Sequence, residues 1–245
     1  MPIEEDTDFL RSRPEYAHFR GALGAVDGTL IPACIRRDRQ QAFYDRHGQV
    51  SQNVLAVVSF NDLFLYVLAG WEGSAHDSTV FQNALHRGLR IPRGKYLLAD
   101  SGFRNDAHCL SPYRQVLYHL TRWQQAGRSP ERKEELFNRT HSCMRSHVEC
   151  AFGQVKARFP ILKLMRPYSF ALQCDIVIAC FVLHNFIKLR GGSDFVYDTR
   201  TEDEHESNAV GDSNTPSRGA RQQALIGHQR RDNIATALWE SRTIA

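Results

Sequence analysis

The chain has six cysteines but no paired spacing that reads as a disulfide framework, and no secretory signal opens it. A reducing compartment is the expectation, and a disulfide-stapled extracellular scaffold is excluded. A long uninterrupted apolar run is also missing. The longest, Ile176 to Ile187, is broken by His184 and Asn185 and reads as too short to span a bilayer. A soluble intracellular protein with no membrane contact is therefore expected. There is no internal repeat. Apolar residues make up 42% of the 245, slightly few for a compact fold throughout, so a polar segment should accompany a core.

Charge divides the chain in the same way. Residues 19–190 hold 23 Lys/Arg against 13 Asp/Glu, whereas 191–245 hold 6 against 9. The basic surplus sits on the presumptive core, where it favours a polyanionic partner. Most of it is arginine, which suits phosphate contacts.

Residues 1–18 are acidic, then mixed, without a period. Ala22 to Ile35 reads as a buried strand carrying Asp27 and bending at Pro32. Arg36 to Gly48 is a polar connection. Val50 to Phe60 and Leu63 to Trp71 are further strands, split by the turn signal Asn61-Asp62, so an antiparallel meander is expected. Gly73 to Ser78 leads into a short helix that Asp77 or Ser78 would cap. Tyr96 to Ala99 is a short strand ending at Asp100-Ser101-Gly102, and 103–130 is irregular and basic.

Glu131 to Pro160 has no internal proline and opens after Ser129-Pro130 with acids in its first turns, as a helix N-terminus should. Leu136, Cys143, Val148, Phe152, Val155 and Phe159 recur at helical spacings, which predicts an amphipathic helix. Glu149 shares a face with Arg145 and Ser146 behind it and with Lys156 ahead, so from the helix alone it reads as ion-paired. Asp175 to Leu189 is a second apolar helix. The domains expected are an N-terminal remnant (1–18), a core domain (19–190), a disordered linker rich in Gly, Ser and acids (191–220) and a helical tail (221–245). The tail is either a partner-binding helix or part of the core, with the first preferred.

Three meandering strands, a helix, another strand and then helices is the element order of ribonuclease H-like α/β folds, a mixed sheet flanked by helices. There, acids on the first strand, after the fourth and on a later helix form a cluster, and Asp27, Asp100 and Glu149 hold those three kinds of position. Clustered carboxylates repel one another and are costly to desolvate, so they imply bound cations. All-oxygen ligation suits Mg²⁺ or Mn²⁺.

Eight motifs in one order extend this: GAVDGT (24–29), RHGQVSQNVLAV (46–57), AGWEGSAHDSTVF (69–81), KYLLADSGF (95–103), SPYR (111–114), YHL (118–120), residues 134–162 and ACFVLHNFI (179–187). From about Gly21 to Leu189 the chain resembles the PIF/Harbinger-type DDE transposases and Harbinger transposase-derived nucleases. The resemblance implies an acidic triad of Asp27, Asp100 and Glu149, with Asp77 as a further metal ligand. Two divalent cations would activate a water or a DNA 3′-hydroxyl and stabilise the leaving oxygen, with no covalent protein–DNA intermediate. Arg46, Arg145, Lys156 and Arg158 are the candidate phosphate contacts. DNA is the implied substrate and the nucleus the expected location, with the cytoplasm as second compartment. A separate Myb-like DNA-binding protein is an implied partner, and a homo-oligomer is compatible with the resemblance.

The chain departs from the family pattern in places. Arg46-His47-Gly48 stands for arginine-lysine-glycine, Asp100-Ser101-Gly102-Phe103 for Asp-Ala-Gly-Tyr, and Cys150 for a frequent arginine after Glu149. The front is short where family members carry a helix-turn-helix-like region, so the chain reads as truncated. Those departures support an alternative, a domesticated, non-catalytic DNA-binding or scaffold protein. A zinc site built from His141, Cys143, His147 and Cys150 is disfavoured, because structural zinc sites draw on more than one continuous helix.

Overall fold

Ala22–Pro32 forms β1 because its small and branched residues can bury both faces of a strand; every residue from Ala22 to Thr29 is buried. β2 (Ser51–Val58) is buried along its whole length, and β3 (Phe64–Glu72) is half-exposed at most positions. β2 and β3 pair antiparallel from Gln52 opposite Glu72 to Val58 opposite Phe64. Asn61 and Asp62 make the turn between them: the Ser59 N–H donates to the Leu63 carbonyl at 2.9 Å, and Asp62 takes a left-handed φ of 59°. β4 (Tyr96–Leu98) runs parallel to β1, and β5 (Cys109–Leu110) parallel to β4. The five-stranded mixed sheet has the order β3-β2-β1-β4-β5.

This computed structural model describes residues 7–117, 127, 129–192 and 218–244. Its helices are α1 (Thr7–Arg11), α2 (Asp77–His86), α3 (Lys133–Arg158), α4 (Phe170–Leu189) and α5 (Arg218–Ile244), with 3₁₀ turns at Pro14–Phe19, Arg37–Phe43 and Pro160–Leu162. The linker expected over 191–220 lies, from 193 to 217, outside the described residues. Contacts divide the chain into two units. One comprises Val26–Leu89 and Val148–His205; the other comprises Met1–Ala25, Arg90–His147 and Glu206–Ala245.

In the first unit, Phe64 meets Phe181 at 4.5 Å and Phe152 at 6.0 Å between ring centroids. Two amides tie α4 down. Gln173 accepts the Cys34 N–H at 2.9 Å and donates to its carbonyl at 2.8 Å, and Asn185 does the same for Phe64 at 2.9 and 2.7 Å. α4 also corrects an expectation. Ser169 caps it, its Oγ accepting the Leu172 N–H, so the helix starts five residues before Asp175 and runs for 20. By length and composition alone that is long and apolar enough to cross a membrane, so the run is not too short to span one.

In the second unit, Phe19 stacks on Phe137 with centroids 5.6 Å apart. α5 buries Ile234, Ala235 and Leu238. It crosses the β4–β5 connection at Gly227, where a β-carbon would stand 2.6 Å from the backbone of Asp106. Arg230 and Arg231 donate to the carbonyls of Ala107 and Pro112, each at 3.0 Å. The helical tail is thus part of a folded core, the less favoured of its two readings.

Candidate active site

Two acids meet at Gly28. Asp27, 5% exposed, lies within β1, and its Oδ1 accepts the Gly28 N–H at 2.9 Å. Asp77 is the first residue of α2, after His76 in the N-cap position, whose side chain makes no capping hydrogen bond. A helix N-terminus favours negative charge there. The Asp77 carboxylate lies against Gly28: a β-carbon at Gly28 would stand 2.1 Å from its Oδ1 and 2.5 Å from its Cγ. Glycine is required here by close approach. Both carboxylates therefore touch the backbone of one residue.

Asn53 holds the second of these acids. It is buried on β2, and its Nδ2 donates to Asp77 Oδ1 at 2.6 Å and to the Ala75 carbonyl at 3.0 Å. Two acceptors fix which way the amide points. Its Oδ1 is buried with no hydrogen-bond partner among the described residues, an arrangement that calls for an explanation. Sequence reasoning passed over Asn53 and gave Gly28 no role of its own. The available signal was a run of three polar residues, Ser51, Gln52 and Asn53, opening a strand that is apolar from Val54 onward.

Asp100, 6% exposed, follows β4 in the other unit, and its Oδ1 accepts the Gly102 N–H at 2.9 Å, closing an Asx turn. Glu149 is exposed on α3, next to the buried Val148. Burial above all, then the charges of Asp62 and Glu149, pushes the Cys150 thiol up. The structure brings Asp27 and Asp77 together and describes Asp100 and Glu149 each in its own setting.

The basic candidates differ in exposure. Arg46 is exposed on a turn that Asp45 grips: Asp45 Oδ1 accepts the N–H groups of His47 and Gln49 at 2.9 and 3.0 Å, and Oδ2 accepts from Ser51 Oγ at 2.9 Å. Lys156 and Arg158 are half-buried, and an Arg158 nitrogen lies 3.1 Å from His184 Nδ1. Arg145 is buried at 7% exposure.

Among the described residues, no three His, Cys, Asp or Glu side chains stand close enough together to hold a metal ion. That includes the zinc alternative on α3. There the fully buried His141 places Nε2 2.8 Å from the Leu110 carbonyl, and burial pushes the Cys143 and Cys150 thiols up. At Gly28 the donor set is two carboxylates and a partnerless amide oxygen. That all-oxygen chemistry fits a hard divalent cation such as Mg²⁺ or Mn²⁺.

The model of one protein family, described as DDE superfamily endonuclease, matches residues 26–185. The chain belongs to this family. The DDE endonuclease match takes in Asp27, Gly28, Asn53, Asp77, Asp100 and Glu149 and stops before α5. Among curated proteins, the chain is 30% identical over 181 residues to rat "Putative nuclease HARBI1" and 28% identical over 183 residues to its human counterpart. Each match covers 71% of this chain and 48% of the relative. To the Arabidopsis thaliana "Protein ALP1-like" it is 27% identical over 186 residues, 67% of this chain and 42% of that protein. The matched stretch thus spans less than half the length of these relatives. No solved structure matches the chain.

Proposed function

We propose that the chain is a metal-dependent DNA endonuclease of the transposase type with a ribonuclease H-like fold, hydrolysing phosphodiester bonds and competent in principle to join strands. The observation that carries this reading is the Asp77 carboxylate seated on Gly28 directly after Asp27. A strand-borne acid and a helix-borne acid sharing one glycine is an arrangement with a use as a ligand pair, because a bound cation would relieve the repulsion between them. In this reading Asp27, Asp100 and Glu149 are the catalytic acids, and Asp77 joins them in holding Mg²⁺ or Mn²⁺. When bound, the cations supply Lewis-acid activation of a water or a DNA 3′-hydroxyl and neutralise charge on the leaving oxygen.

The chain's own residues prepare that chemistry. Gly28 lets the two carboxylates approach; Asn53 orients Asp77 by donating to it, leaving its own oxygen open; the Gly102 N–H orients Asp100. Arg46, displayed on its Asp45-gripped turn, is the phosphate contact the geometry favours, with Lys156 and Arg158 further along the helix that carries Glu149. Arg145, being buried, supports its helix more than a DNA strand. A nuclear location and a separate Myb-like protein for end recognition complete the proposal.

The test is nicking of supercoiled plasmid and of short duplexes in Mg²⁺ or Mn²⁺, with a chelator control. Cleavage that requires the metal and disappears in Asp100→Asn supports the reading. Absence of cleavage with both metals across many substrates replaces it with the non-catalytic DNA-binding alternative.

A further inference from the structure

The outer face of α4 is apolar and open. Its inner face is fully used: Val177, Cys180, Phe181 and His184 are buried, and Gln173 and Asn185 are bonded to the backbone of Cys34 and Phe64. On the other side Leu172, Ile178, Val182, Leu183, Phe186 and Leu189 are exposed, by 40% at Ile178 to 70% at Leu189. A soluble fold rarely shows water so continuous an apolar stripe unless something covers it. Positions 172, 175, 179, 182, 186 and 189 alternate spacings of three and four, the repeat of a helix-on-helix seam.

Charge decides what covers it. One acid, Asp175, lies within the stripe, and one cation, Arg190, closes it, its guanidinium 5.1 Å over the Phe186 ring. The remaining charge on the helix, Lys188, is engaged with Asp62 at 3.3 Å. A two-fold axis set between Val182 and Leu183 would bring a second α4 in antiparallel. Asp175 then faces Arg190 of the other copy at both ends, and the small Ala179 faces the large Phe186. A parallel copy would instead oppose Asp175 to its twin, and an apolar cover such as lipid would bury it unpaired at high cost.

We infer that the exposed face of α4 is a homodimer interface, in which a second copy of this chain packs its α4 antiparallel, with Asp175 paired to Arg190 across the seam. This assigns a protein partner to a face that plays no part in the proposed cleavage chemistry.

The test uses the whole chain in sedimentation equilibrium and light scattering. The wild type is expected to be a dimer. Asp175→Arg and Arg190→Asp should each weaken it by at least about tenfold, and the doubly swapped variant should restore it. Val182→Glu, at a site 61% exposed, should give a monomer with an unchanged circular dichroism spectrum. A wild type that stays monomeric up to roughly 100 µM overturns the inference. So does a dimer indifferent to the single swaps, or a double swap that restores nothing. Flotation with phosphatidylcholine vesicles that Val182→Glu abolishes would assign the face to lipid and overturn it as well.

Discussion

The Asp77 carboxylate rests on the α-carbon of Gly28 so closely that a methyl group there would meet its Oδ1 at 2.1 Å. This contact explains why a glycine follows Asp27 in the middle of a buried strand, a position where glycine otherwise weakens pairing.

Gly28→Ala must therefore displace Asp77, since the strand backbone cannot yield as easily as a side chain. The expected cost is about 1–3 kcal/mol in stability from overpacking. Misplacing a ligand by about 1 Å should cost about 100-fold in metal-dependent nicking. Thermal denaturation and the nicking assay check the two effects separately, and full activity would show that the position of Asp77 does not matter to cleavage.

Asn53→Ala removes the donor that Asp77 Oδ1 and the Ala75 carbonyl share. About 1–2 kcal/mol of stability should go with it, and the Mn²⁺ concentration for half-maximal nicking should rise. Asn53→Asp is nearly isosteric but sets a carboxylate where an N–H donor now stands 2.6 Å from Asp77. It should be less stable than the alanine variant at pH 8 and recover as acid protonates one of the pair. Urea denaturation at pH 8 and again at acid pH measures this.

His141 gives a pH dependence of known sign. Burial, assisted by the charges of Arg145 and Arg231 and opposed by the Leu110 hydrogen bond, lowers its pKa to about 3 from an ordinary 6.5. Between these values the unfolded chain binds the proton and the folded one does not. The contribution is thus intact above pH 6.5 and is lost as the pH falls toward 3. About 2 kcal/mol should disappear between pH 7.5 and 5. His141→Gln should flatten the urea-derived stability curve over that range.

Much of this fold can be read from local pattern. β2 and β3 come out within a residue or two, β1 ends three residues before Ile35, and α3 differs from Glu131–Pro160 by two residues at each end, because strand and helix periods are properties of neighbouring residues. What escaped depends on contacts distant in sequence or on weak signals. β5 is two residues long and carries no period. The start of α4 turned on Ser169, one hydroxyl outweighed by the conspicuous Asp175. Asp27 and Asp77, which meet at Gly28, were already singled out as motif residues. The role of Asn53 was not, since nothing in the sequence near 53 says that residue 77 folds back to meet it.

The packing of α5 bears on how the protein can be cut. The stretch that carries the family likeness, residues 26–185, begins part-way along β1 and ends before the helix whose Ile234, Ala235 and Leu238 fill the unit around Phe137. A fragment trimmed to those limits would expose these contacts to solvent and lose the Phe19 ring as well. The limits of the family match are not the limits of the packed unit, and expression trials are better designed around the second.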